Sequence, residues 1–174
     1  MLSDLREDLA RYAESGRSAL LDPSVAAIMS YRLGQWCRRC NIPVIGQIFR
    51  AIHVVLHAII TLIVGIYLPR GASIGPGLRI HHFGGIVISP SAIIGRNCTL
   101  RNNVCIGNRH GGNDAPTIGD NVEFGVGSVV IGNICVGNNA RIGANAVVLT
   151  DVPENTSAVG VPARLISRSP HAGL

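Results

Sequence analysis

Between Gly71 and Val152, aliphatic residues return at every sixth position. Ile74 and Ile80 open the series. After a slip of two it runs on through Ile88, Ile94, Leu100 and Ile106, and a second run keeps the step at Ile118, Phe124, Val130, Val136, Ile142 and Val148. Six does not match a helical period, and it is too regular for hairpins with varied loops. It is the pattern of a parallel β-helix, in which each hexad gives one short strand and one tight turn. The position two before each aliphatic residue also points inward, because side chains alternate along a strand. Ala72, Cys98, Val104, Val122, Ala140 and Ala146 hold such places. Gly, Asn and Asp between the strands tolerate left-handed backbone angles and supply the turns.

Three hexads close a triangular coil, and no hexad buries a core alone. The expectation is a mainly β protein of about four coils over residues 68–168, with a helical region at 1–67 and a disordered tail at 169–174. One excursion is predicted, at 107–117. Ile106 and Ile118 stand twelve apart, so the hexad phase survives it while the aliphatic positions vanish inside. Functional groups gather on such loops.

Upstream the pattern turns helical. "SDLREDLARYAESG" places Ser3 as a cap and Gly16 as a stop. In the next helix Asp22 is the cap and Pro23 the first helical residue, with an apolar face through Val25, Ile28, Met29, Leu33 and Trp36. Asn41 to Pro43 breaks it. Residues 44–68 are hydrophobic enough to raise three readings: a helix buried against the coil or a neighbouring subunit, a helix lying on a membrane, or a true span. His53 and His57 share one face of this segment, and no acidic third ligand stands near to suggest a metal site.

The formal charge is +5, and every basic residue is arginine. That suits phosphate recognition, while the scarcity of aromatics argues against nucleic acid. Five cysteines, an odd count, and the lack of a signal-peptide pattern predict a reduced, cytoplasmic setting. Cys37 and Cys40 have CxxC spacing without a second pair, a weak metal or redox signal.

The coil, the segment "IHHFGGIVI", the loop and the terminal "GVPAR" together resemble hexapeptide acyltransferases of the serine acetyltransferase type, over roughly residues 65 to 168. "LRIHHFGGIVI", "TLRNNVCIGNRHG" and "LREDLARY" are similar to the acetyltransferases of bacterial exopolysaccharide synthesis, of the colanic acid type. The resemblance implies a left-handed β-helix and acetyl transfer from acetyl-CoA to a hydroxyl, without a metal. It also implies a homotrimer, or a dimer of trimers, with sites between subunits.

It makes His82 the general base, with His81 as fallback. Imidazole titrates near neutrality, and a positioned base contributes about 10²–10⁴-fold. His110 is a candidate for the acceptor or for CoA. Gly107, Gly125, Gly127, Gly143 and Ala144 match the small-residue line beside the pantetheine arm, and Arg141 and Arg164 are candidates for CoA phosphates.

Two departures stand out. Tyr67 occupies the place of the family's histidine-orienting Asp, and Asp114 and Ala115 replace an Arg-His pair that helps hold serine. An acid in place of that cation points to a neutral acceptor. The expected reaction is therefore O-acetylation of a sugar hydroxyl in an exopolysaccharide intermediate, at the inner face of the cytoplasmic membrane. Asp114 would bind the sugar, orient His82 or cap a turn. The alternatives are serine O-acetyltransferase of cysteine biosynthesis, a zinc β-helix of the γ-carbonic anhydrase kind, and a non-catalytic scaffold.

Overall fold

The computed structural model describes residues 2–13, 22–39, 45–112 and 114–167. Gly16, Cys40, the break at 41–43 and the tail at 169–174 lie outside them. Three helices, α1 (Leu2–Ala13), α2 (Pro23–Arg39) and α3 (Ile45–Val64), precede a parallel β-helix. Its strands, β1 to β15 in chain order, form three faces. The first face stacks β1 (Ile66–Tyr67), β4 (Ile86–Ile88), β7 (Cys105–Gly107), β10 (Val129–Ile131) and β13 (Val147–Val148). The second stacks β2 (Ser73–Ile74), β5 (Ile93–Ile94), β8 (Thr117–Ile118) and β11 (Cys135–Val136). The third stacks β3 (Arg79–His81), β6 (Thr99–Arg101), β9 (Glu123–Phe124), β12 (Arg141–Ile142) and β14 (Thr156–Val159), closed by antiparallel β15 (Arg164–Ser167).

Every periodic position from Ile74 to Val148 is buried, as are Ala72, Cys98, Val104, Val122, Ala140 and Ala146. The register explains the regularity. Ile74 stands over Ile94, Ile94 over Ile118 and Ile118 over Val136, so each face presents the coil axis with one aliphatic column. Asparagine holds the left-handed turns at Asn97, Asn121, Asn139 and Asn155, with φ between 56° and 59°. The amides of Asn121 and Asn139 donate up this corner to Asn139 and Asn155 in turn.

The coil has five strands on its first face, one turn more than expected. The extra strand, β1, was hidden at the end of the hydrophobic run. Gly65 makes the junction: its N–H donates to Thr61 O at the end of α3, its φ is 68°, and a Cβ there would lie 3.3 Å from Gly84 Cα. A helix C-cap and the lowest corner of the coil are therefore the same residue.

The helices close the open end of the prism. Asp22 caps α2, accepting from Ser24 N–H at 3.0 Å. Ser3 lies within α1, and its hydroxyl donates to Asp4 Oδ1. The apolar face expected on α2 is rotated. Val25 and Ile28 are buried, but Met29 and Trp36 are exposed, and Ser24, Tyr31 and Arg32 are buried in their place. The reason is the surface beneath. The lowest strands present unpaired backbone groups, which need polar partners. Tyr31 Oη donates to Ala72 O and accepts from Ile74 N–H. Tyr12 Oη accepts from Ile80 N–H, and Asp8 Oδ1 accepts from Leu78 N–H. Arg32 donates to Ile74 O and Gly75 O.

The inner face of α3 packs against α2 and β1. His53 Nε2 lies 2.8 Å from Ser30 O, and His57 Nδ1 lies 3.0 Å from Ser30 Oγ. The two rings stack with centroids 5.6 Å apart. Among the described residues no helix is long and apolar enough to cross a membrane. Burial, then the neighbouring His53 and Arg70, hold the His57 pKa below its usual value. The neutral ring is thus favoured in the folded state. Its contribution is complete above the ordinary histidine pKa, near 6.5, and is lost as pH falls through the lowered folded value. Thermal melts between pH 7 and pH 5 are expected to show a steeper loss of stability for the native chain than for His57→Asn.

Candidate active site

The one slip in the repeat carries the candidate base. Between Ile80 and Ile88 the chain has two residues more than a hexad allows. Gly85, with φ of 67°, takes the corner position that Asn103, Gly127 and Asn145 take in the coils beyond. Asn103 N–H donates to Gly84 O, Gly127 N–H to Asn102 O and Asn145 N–H to Val126 O, so the ladder resumes above the slip. The surplus bulges outward ahead of Gly85 and carries His82 and Phe83, both exposed.

His82 has φ of 61°. Among the described residues every other position with positive φ is Asn or Gly. A side chain at such an angle is uncommon outside glycine and asparagine, and outliers of this kind cluster at active sites. His81 lies in β3, half-buried and in register with Arg101, its ring centroid 6.4 Å from that of His82.

Gly125, Gly127, Gly143 and Ala144 lie on the same corner as His82, in successive coils, so the fold brings the candidate base and the small-residue line onto one edge of the prism. The fold already requires all three of these glycines, Gly127 through its φ of 67° and the other two through packing. A Cβ on Gly125 would lie 2.5 Å from Ala144 N, and one on Gly143 2.9 Å from Val159 Cγ1. Gly107 differs: among the described residues a Cβ there would meet only Cys105 Sγ, at 3.6 Å, and no left-handed angle demands glycine. It ends β7, where the chain enters the loop.

The loop stands at the other edge of the first face. A strand of three residues spans about 10 Å, so within one chain the loop and the His82 bulge are separated by the width of that face. Asp114 Oδ2 accepts the N–H groups of Arg109, at 3.2 Å, and His110, at 2.9 Å. Asp114 is thus a turn-forming acid that pins the loop. Its Oδ1 is buried without a hydrogen bond among the described residues. His110 and Arg109 are exposed, and the Arg109 stem passes beside Gly132, 3.6 Å from where a Cβ would sit.

Tyr67 is on the outer side of β1, with its ring 6.3 Å from that of His57. Arg141 faces outward from the third face and pairs with Glu123 at 3.4 Å. Arg164 opens β15 and is exposed. Neither arginine is on the corner that carries His82. Sequence reasoning passed over Arg109 and Phe83; the two-residue slip itself was the available signal for Phe83. Among the described residues no group of three His, Cys, Asp or Glu could hold a metal ion.

Residues 115–150 match the family described as bacterial transferase hexapeptide (six repeats). Over 151 residues the chain is 38% identical to serine acetyltransferase of Helicobacter pylori, covering 86% of this chain and 84% of that protein. The chain belongs to the serine acetyltransferase family. The serine acetyltransferase of Synechococcus elongatus is 37% identical over 160 residues, or 90% of this chain and 63% of that protein. The chain therefore spans less than two-thirds of that relative's length. Soybean serine acetyltransferase complexed with serine superposes with a TM-score of 0.83 at 34% identity, covering 94% of this chain and 68% of that one. A serine acetyltransferase complex with CoA gives 0.73 at 32% identity, covering 85% and 59%.

These likenesses overturn the exopolysaccharide reading and its sugar acceptor. Relatives at 32–38% identity carry the serine acetyltransferase name. The sugar rested on the substitutions at Tyr67, Asp114 and Ala115, and on the loss of a cation at position 114. The loop geometry answers the last point. Asp114 is occupied in shaping the turn, and a guanidinium is presented from Arg109 in the same loop.

Proposed function

We propose that this protein is an acetyl-CoA-dependent serine O-acetyltransferase with His82 as general base. The observation that carries the reading is His82 itself, held at a left-handed angle on a two-residue bulge where the fold elsewhere uses Asn or Gly. The chain's membership of the serine acetyltransferase family and its likeness to structures with serine and with CoA support the two substrates.

In the reaction the imidazole of His82 takes the proton from the serine hydroxyl as its oxygen attacks the thioester carbonyl. The C–S bond then breaks, and the departing thiolate recovers the proton from His82. Backbone N–H groups near Gly107 meet the developing oxyanion, and the lack of a side chain at Gly107 lets the thioester approach the backbone. The pantetheine arm follows the small-residue corner past Gly125 and Ala144. The separation of His82 from the loop within one chain favours a homotrimer, in which the loop of one copy faces the His82 bulge of the next. Arg109 and His110 then take the serine carboxylate.

The test is thiol release from acetyl-CoA by the full chain, with and without serine. Serine-dependent release is expected, and its absence overturns the reading. Arg109→Ala is expected to raise KM for serine about tenfold or more with a smaller change in kcat, as befits a lost carboxylate contact.

A further inference from the structure

Among the described residues nothing covers the outer side of α3. Phe49, Ile52, Val54, Val55, Leu56, Ile59, Leu62 and Ile63 are each more than two-fifths exposed, Leu62 at 86%. Between Ala51 and Val64 the polar residues are His53, His57 and Thr61, and they lie on the inward side, towards α2 and β1. At 3.6 residues per turn the exposed apolar positions sweep an arc of roughly 220°. A partner helix or sheet covers a stripe of about 100°. An arc this broad is matched by a medium that surrounds the helix on three sides.

The charge distribution names the medium. No acidic residue occurs between Asp22 and Asp114, a stretch that contains α2, α3 and the first coils and carries nine arginines, of which Arg32 and Arg96 pair with Asp8 and Glu7 of α1. Arg38 and Arg50, close to the α2–α3 junction, are both exposed. An anionic surface attracts both.

We propose that α3 is a membrane-docking helix, lying in the interfacial layer of an anionic bilayer with its apolar arc among the acyl chains and its inner face fixed to the coil. The helix lies on the membrane without crossing it, since its inner face is occupied by α2 and β1. Because Gly65 ends α3 directly against Gly84, docking holds the His82 bulge close to the lipid surface.

The experiment is cosedimentation of the full chain with phosphatidylcholine vesicles, with and without phosphatidylglycerol. Binding is expected to the phosphatidylglycerol vesicles and to weaken with added salt. The double variant Ile59→Glu with Ile63→Glu should lose about tenfold or more of the bound fraction while its circular dichroism spectrum and melting temperature stay near native, as both side chains are exposed. Arg50→Gln, a milder change, should reduce binding only to vesicles that contain phosphatidylglycerol. Failure to bind either vesicle overturns the proposal, as does unchanged binding by the double variant. A double variant that instead lowers the sedimentation-equilibrium mass shows that a second copy covers the arc, and also overturns it.

Discussion

Replacing His82 by Asn should abolish most acetyl transfer, lowering kcat about 10²-fold or more, while the chain folds as before. Asn is the informative substitution because of the backbone. His82 sits at φ of 61°, and Asn occupies the same region at Asn97, Asn103, Asn121, Asn139, Asn145 and Asn155. The exchange removes the imidazole and leaves the turn content. His82→Ala should be equally inactive but less stable, since Ala lacks the tolerance of Asn for left-handed angles. His81→Ala should cost much less activity, because His81 belongs to β3 and stands in register with Arg101 rather than on the bulge. Single-turnover thiol release separates chemistry from product release. A loss of less than about tenfold in His82→Asn removes that residue from the role of base.

The same residues show how far the sequence could be read. The sixfold spacing was decisive because geometry leaves it no freedom: a strand of two or three residues and a turn must repeat in step if each coil is to pair with the next. Hence Ile74 to Val148 fell on the buried columns without exception. The slip before Ile88 was visible as a break in phase, and it marked the bulge that carries His82.

What stayed hidden depended on surfaces that meet in space. Ile66 reads as the tail of an apolar helix, so a whole strand was missed. Met29 and Trp36 look like core at helical spacing, but α2 rests on the raw end of a β-coil, whose backbone groups select Tyr31 and Arg32 instead. Asp114 looks like the loss of a cation, yet it shapes a turn that presents Arg109. Position by position, that substitution misled; the overall likeness to serine acetyltransferases was the better guide.

Asp8→Ala should lower the stability of the folded chain by about 3–5 kcal/mol, the cost of removing one partner from a buried ion pair. Asp8 and Arg32 are both nearly inaccessible, at 0% and 4% exposure. The carboxylate accepts from Arg32 Nε at 2.8 Å and Nη2 at 3.1 Å, and from Leu78 N–H at 2.8 Å. Its loss strands a guanidinium in the interior and leaves the Leu78 N–H, just ahead of β3, without an acceptor. Arg32 also tethers Ile74 O and Gly75 O, so the damage passes from the helices to the first coil. Asp8→Asn keeps an acceptor for Leu78 but not the charge, and should fall between the native chain and Asp8→Ala. The pair formed by Glu7 and Arg96 is the control. It is as short, at 2.7 Å, but about half exposed on both sides, and Glu7→Ala should cost under about 1 kcal/mol. Denaturant titration of the three variants ranks them. Equal effects of Asp8→Ala and Glu7→Ala would mean that the helices rest on the coil without closing it, and that the prism stands on its own aliphatic columns.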